Sequence, residues 1–409
     1  MRLNRSTPVS LVLGLLLTYT WALAQDIRVT GSTSTVGAAR ITFLASDLVR
    51  LEWSESKQWA DWPSAVVVGR DWPAVKVAAE KEDDGTVVLR TERLTVRYRP
   101  PERFSTENLT VESPLLDGPW HPGDPDPDNL GGTRHSLDGV RETALPPLGQ
   151  GLLSRAGYFF LDDSKRPLID PNTDWLSPRP DGESQDWYFS AYGHEYRRAL
   201  LLASKLLGPV PIPPKWAFGG WYSRYWPYTD AEERAIVNKF RELGIPLDVL
   251  VIDVDWHLHG WEGYDWNPDL FPDPEGFLCW VHEKGCKVAL NNHPGRLPAA
   301  DSHFTEVCRR LGVDPAGRKD IALNLAERTH AAAFMEVLHK PLHDQGVDFW
   351  WIDGSSAQMP GLDNQMWTSK VYFDYTEQFT GKRGLLFARY GGYGCNRYPV
   401  GFSGDTFAE

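Results

Sequence analysis

The sequence predicts two folds in series: an N-terminal antiparallel β-sandwich, then an incomplete (β/α)8 TIM barrel. Three observations carry this. Up to about residue 186, short extended runs alternate with turn clusters, the rhythm of a sandwich. From about residue 214, apolar strand-type runs alternate with amphipathic helical segments, the rhythm of a parallel sheet covered by helices. Between them, Gly208-Pro209-Val210-Pro211-Ile212-Pro213-Pro214 makes a stiff linker, because proline fixes φ and removes backbone donors. The expected units are a signal peptide over 1–24, a β-sandwich domain over 25–208 and a barrel domain over 214–409.

The leader has Arg2 and Arg5 ahead of the apolar Leu11–Leu17, and Ala22-Leu23-Ala24 supplies a small-residue cleavage site. The apolar run is shorter than the roughly 20 residues a membrane span needs, so export to the periplasm or medium is expected rather than anchoring. Strands are then expected at Ala65–Val68, Thr86–Leu89 and Leu94–Tyr98, with Glu82-Asp83-Asp84-Gly85 as a turn. His121–Asn129, rich in Pro and Asp, reads as a long loop. A helix is expected over Tyr192–Leu206, with Leu200, Leu201, Ala203 and Leu207 as its apolar stripe.

In the second half, strands are expected at Ala217–Trp221, Val249–Val254, Lys287–Asn291, Asp348–Ile352, Gly384–Ala388 and Val400–Phe402. Helices are expected at Asp230–Leu243 (capped by Asp230), Pro274–Lys284, His330–Gln345 and Asn364–Phe379. Six strands are counted where a closed barrel needs eight, so the chain is expected to stop about two βα units short. No internal repeat or low-complexity tract is evident.

Net charge is −13 and no basic run stands out, which argues against nucleic acid as a partner. The composition is rich in aromatics, with 18 Trp, 15 Tyr and 17 Phe; these suit sugar rings, although most such residues fill cores. Four cysteines are too few for a disulfide scaffold. Cys279 and Cys286 flank a turn where they could pair, buried free thiols being the other reading. None has zinc-ligand spacing, and no metal or cofactor is expected.

Two aspartates stand out because each closes an apolar strand-type run: Asp353 after Phe349-Trp350-Trp351-Ile352, and Asp405 after Val400-Gly401-Phe402-Ser403-Gly404. A (β/α) barrel keeps its catalytic groups at the C-terminal tips of its strands, and two carboxylates brought together there can split a glycosidic bond. Asp253 and Asp255 end the second barrel strand. Strand alternation would point both to the pocket, with one pocket carboxylate and one helix cap as the alternative. Arg389 ends the fifth strand, where it either serves the site or makes an ordinary surface ion pair. His257 and His293 follow strand tips and read as satisfied hydrogen-bonding residues.

Several segments, in order, carry a resemblance to a known family: Asn129-Leu130-Gly131-Gly132-Thr133, Gly151-Leu152-Leu153-Ser154-Arg155, Tyr192-Gly193-His194-Glu195-Tyr196, Pro246–Asp255, Phe271-Pro272-Asp273-Pro274, Trp351-Ile352-Asp353 and Phe402-Ser403-Gly404-Asp405. From about residue 129 onward the chain resembles a family 31 glycoside hydrolase, the family of α-glucosidases and α-xylosidases. The resemblance implies Asp353 as nucleophile and Asp405 as general acid/base. It implies Asp253, with Asp255, as sugar-binding acids, and Arg389 as a holder of sugar hydroxyls or of the nucleophile. It places Trp351 and Phe402 on the first sugar subsite; Trp221 and Trp256 are further wall candidates, with core filling as the alternative. The implied substrate is an oligosaccharide or glycoside, and the implied activity a retaining α-glycosidase. The alternatives are an inactive fragment or carbohydrate-binding remnant, or α-galactosidase or transglycosidase specificity. One departure stands out: where many members follow the nucleophile with Met-Asn-Glu or a similar run, this chain has Gly354-Ser355-Ser356, which leaves room beside Asp353.

Overall fold

The computed structural model describes residues 27–132, 138, 148–389 and 392–405. The expected signal peptide lies outside the described residues. Two antiparallel sheets fill the N-terminal part. One has six strands in the order Arg28–Thr30, Thr33–Val36, Ala39–Ala45, Leu48–Trp53, Gln185–Ala191 and Tyr158–Asp162. The other has four: Ala78–Lys81, Val87–Arg90, Thr95–Tyr98 and Leu109–Glu112. Ile41, Phe43, Leu51 and Phe189 of the first share one hydrophobic core with Val87, Leu89, Val96 and Val111 of the second.

The strand expected at Ala65–Val68 does not form. Ser64 Oγ accepts from the backbone N–H groups of Val66 (3.2 Å) and Val67 (2.7 Å), and this curls the chain into a turn. Val66 and Val67 are buried nonetheless, against Leu202 and Leu206. The helix also differs from expectation. It runs Tyr196–Leu207, because Gly193 upstream adopts φ +55°, a left-handed conformation that a helix excludes. It buries Ala199, Leu202, Ala203, Leu206 and Leu207, while Leu200 and Leu201 face solvent.

A buried ionic network crosses the six-stranded sheet. Arg50 forks onto Asp186 through Nε (2.8 Å) and Nη2 (2.7 Å) and also lies 3.1 Å from Glu52. Arg179 joins Asp186 (3.0 Å) to Asp163 (2.9 Å). All five side chains are buried.

The C-terminal part is built on a six-stranded, wholly parallel sheet: β1 (Trp221–Ser223), β2 (Val249–Ile252), β3 (Lys287–Asn292), β4 (Phe349–Ile352), β5 (Leu386–Arg389) and β6 (Gly401–Phe402), in that order. The two-residue alternation divides its side chains cleanly. Leu250, Ile252, Val288, Leu290, Trp350 and Ile352 pack outward on the helices, in one core with Phe277, Val281, Leu338 and Trp367. Val249, Val251, Ala289 and Phe349 lie on the other face with Trp221, Trp351 and Phe387. This is a partial (β/α) barrel.

Its elements lie close to those expected, with three corrections. β1 starts at Trp221, since Lys215–Phe218 coils into a 3-10 turn. The helix Asp230–Glu242 is capped by Thr229, not Asp230. The Thr229 hydroxyl accepts from Glu232 N, and the Glu232 carboxylate takes the Thr229 N–H in return. β2 stops at Ile252. The other longer helices are Pro274–Glu283, Phe304–Leu311, which was not expected, a helical run Arg328–Gln345 with a π-helical middle at Phe334–His339, and Asn364–Thr380. Cys279 and Cys286 do not pair: both are free thiols, Cys279 exposed and Cys286 buried.

Candidate active site

The parallel sheet brings the predicted carboxylates to its C-terminal ends. Asp353 directly follows β4, and its backbone N–H donates to Asn292 O of β3 (2.9 Å). Arg389, the last residue of β5, sets Nη2 2.5 Å from Asp353 Oδ1. Its other arm, Nη1, lies 2.5 Å from Asp138 Oδ1, and that same oxygen accepts the backbone N–H of Asp405 (2.6 Å). One guanidinium therefore links the expected nucleophile, through Asp138, to the backbone of the expected acid/base. The two carboxylates beside it raise the Arg389 pKa, outweighing the burial that works against its charge.

Asp138 was not among the sequence candidates. The sequence around it has no periodic pattern, so no local signal marks it; its partner lies 251 residues away along the chain.

Asp253 sits at the neighbouring tip, after β2. Its carboxyl is pushed up to about 6, chiefly by burial, with the charges of Asp353, Asp255 and Asp405 adding; a bond from Val254 N opposes them. Asp353, Asp255 and Asp405 thus each lie within electrostatic reach of Asp253. The expected alternation of Asp253 and Asp255 does not hold. β2 has ended, and the chain winds into a one-turn 3-10 helix, Val254–Trp256, capped by Asp253. Asp255 is half-buried, its pKa raised by burial, with Oδ2 lacking a hydrogen bond among the described residues.

Aromatic side chains wall the site. Trp351 meets Phe402 edge to face at 5.6 Å, Phe387 packs on both, and Arg389 lies 5.1 Å over the Phe402 ring. Trp221 does not join them as a wall at the mouth. In register with Val249 at the start of β2, it packs edge-on against Phe349 and Phe387, its indole N–H donating to Ala217 O: a side chain filling the sheet's concave layer. Trp256 is fully buried in the outer core.

His293 Nε2 lies 3.7 Å from Asp353 Oδ2, and burial lowers its pKa, which favours the neutral imidazole. His257 is a core residue bonded to Gly263 O, its pKa pushed down to about 3 by burial. Among the described residues one grouping, Asp265, Asp301 and His303, is close enough to hold a cation. Its oxygens already accept from Tyr264 N, His303 N, Ser302 N and Ser302 Oγ, the pattern of a turn-fixing cluster.

Fold and site together define a carboxylate-lined mouth on a partial (β/α) barrel. Residues 210–409 match the family described as the glycosyl hydrolases family 31 TIM-barrel domain, and this segment belongs to glycoside hydrolase family 31. Over 175 residues it is 29% identical to an α-xylosidase of Saccharolobus solfataricus, covering 42% of this chain and 23% of that protein. The α-xylosidase XylQ of Lactiplantibacillus pentosus is 32% identical over 149 residues, covering 35% of this chain and 19% of its own. The fold is similar to that of a Flavobacterium johnsoniae family 31 dextranase solved with glucose, at 17% identity and a TM-score of 0.70, over 93% of this chain and 56% of that one. The chain thus spans about a fifth of the length of these curated relatives.

Proposed function

We propose that this chain is a retaining α-glycosidase acting on terminal α-linked sugars. The observation that carries it is that Asp353, paired with Arg389, and Asp405 both lie within electrostatic reach of Asp253 at the sheet's C-terminal ends. Asp353 attacks the anomeric carbon and forms a β-linked glycosyl-enzyme, while Asp405 protonates the departing oxygen. Asp405 then takes a proton from water, which displaces Asp353 and releases the sugar with its α configuration kept. Arg389 pairs with the nucleophile and aims it. Asp253 accepts sugar hydroxyls, and Trp351 and Phe402 bound the ring. The core shared by the two antiparallel sheets supports a sandwich domain over 25–208 ahead of a barrel domain over 214–409.

Hydrolysis of p-nitrophenyl α-glucoside, α-xyloside and α-galactoside tests the reading and picks the sugar. NMR of the first-formed anomer must show the α product. A β product would overturn retention, and sugar binding without turnover on the whole panel would leave a carbohydrate-binding protein. The proposal includes export, with removal of residues 1–24. N-terminal sequencing of the exported protein should begin at Gln25.

The raised Asp253 pKa gives a pH signature. Below about pH 6 the carboxyl is protonated and is a weaker acceptor for sugar hydroxyls; above it the ionised form binds. The value of kcat/KM should therefore climb between pH 5 and 7. Asp253→Asn should flatten that limb and lower kcat/KM at pH 7 roughly 10- to 100-fold, the worth of one charged hydrogen bond at about 1.5–3 kcal/mol. The same variant should not lose stability at pH 7. The folded pKa lies above the unfolded value of about 3.9, so ionisation counts against folding as pH rises through that window, and Asn removes the penalty. An unchanged pH profile with a fallen melting temperature would make Asp253 structural.

A further inference from the structure

The sheet holds Asp353 on its upstream side, where the backbone N–H donates to Asn292 O of β3. Residues 354–363, which follow, form neither strand nor helix before Asn364–Thr380 begins. A carboxylate that must meet a carbon in line needs the chain fixed on both of its sides. Here the downstream side is fixed by hydrogen bonds.

Ser356 commits all three of its polar groups. Its N–H donates to Thr368 Oγ1 (3.2 Å), its carbonyl accepts Leu325 N (2.6 Å), and its hydroxyl donates to Leu323 O. It is buried, as are Thr368, Leu323 and Leu325. A little further on, Asn324 grips the backbone with both ends of its amide. Its Oδ1 accepts Gln358 N (2.7 Å) and its Nδ2 donates to Gln358 O (3.0 Å).

The segment that receives these bonds is itself anchored. Leu323 N donates to Gly295 O (2.8 Å), and the Trp367 indole donates to Leu325 O (2.9 Å). Leu323–Leu325 therefore ties the chain leaving β3, at Gly295, to the chain leaving β4, at Ser356. Those two chains carry His293 and Asp353, whose side chains lie 3.7 Å apart. The fit is close: a Cβ added at Gly295 would meet Ser356 Oγ at 3.3 Å. Ser356 also belongs to the run that departs from the pattern common in the family, so no role is carried over to it.

We propose that Ser356 is a positioning residue for the nucleophile, with Asn324 as its second anchor. Its hydroxyl fixes the chain beyond β4 and so keeps Asp353 aimed at the carbon it attacks. This rests on the glycosidase reading.

Ser356→Ala should lower kcat on the best aryl α-glycoside about ten-fold or more and leave KM within about two-fold, since aim matters to attack and not to binding. Ser356→Thr, which keeps the hydroxyl, should recover most of the loss. Asn324→Ala, at a half-buried side chain, should show the same split and carries the test if Ser356→Ala does not fold. A second arm removes the nucleophile. In Asp353→Ala, azide supplies the attacking group, so adding Ser356→Ala should leave the rescued rate within about two-fold. A serine that merely supported the fold would slow rescue as much as it slows the native chain. Native kcat in both alanine variants, a loss carried by KM, or equal slowing of rescue would overturn the positioning role and leave the glycosidase reading standing. Absence of turnover by the native chain overturns both.

Discussion

Asp353→Ala should lower kcat on the best aryl α-glycoside by about four orders of magnitude or more, the scale on which removal of a covalent nucleophile acts. The side chain is held at 2.5 Å by Arg389 and flanked by His293, and neither can attack in its place. Azide is small enough to enter the space vacated and should restore turnover, giving a β-glycosyl azide. The β configuration is the decisive readout, because it places the incoming group on the face that Asp353 occupies. The fold should survive: Arg389 keeps Asp138, so no guanidinium is stranded. Undiminished activity in this variant, or an azide adduct of α configuration, would remove Asp353 from the mechanism.

The second large effect concerns stability. Arg50→Ala should destabilise the N-terminal part by about 3–5 kcal/mol, because it leaves buried acid without its counter-charge. Asp186 loses a bidentate partner and Glu52 a neighbour at 3.1 Å, in side chains of which only 2% and 3% is exposed. Arg179 still reaches Asp186 at 3.0 Å and Arg40 still pairs Glu52, which argues for the lower end of that range. The pair fixes the sign of the pH dependence. Arg50 and Arg179 outweigh burial and hold the Asp186 carboxyl well below the usual carboxylate range. Its contribution is therefore present above the unfolded value of about 3.9 and is lost as pH falls through the depressed folded value. Urea unfolding of native and variant chains at pH 7 and pH 3 should show the gap between them narrowing in acid. A gap that widens in acid would refute the network's role.

Much of the barrel was legible because parallel strands buried on both faces are uninterrupted apolar runs, and the carboxylates that end them interrupt the pattern visibly. Asp353, Asp405 and Asp253 announce themselves in this way. The failures have a common cause: apolar pattern reports burial, not conformation. Ala65, Val66 and Val67 are buried, yet the Ser64 hydroxyl bends the segment. Leu200 and Leu201 fit a helical stripe, but the face one residue over is the one that packs. Thr229 was readable, since Thr-x-x-Glu is a capping-box signature, and the acidic residue after it drew attention instead. Asp138 was beyond reach, because its meaning lies in contacts with residues more than 250 positions downstream.

That last contact has an implication for anyone dissecting the molecule. The arginine at the tip of β5 is braced from outside the parallel sheet, by an acid contributed by the antiparallel half. Arg397, meanwhile, donates to the carbonyls of Ala65, Val66 and Leu207 in that half. Excising residues 210–409 as a minimal unit would discard the brace while keeping the whole segment that matches the family's barrel domain. The excised piece would keep Arg389 and Asp353 but lose the Asp138 carboxylate that steadies the guanidinium.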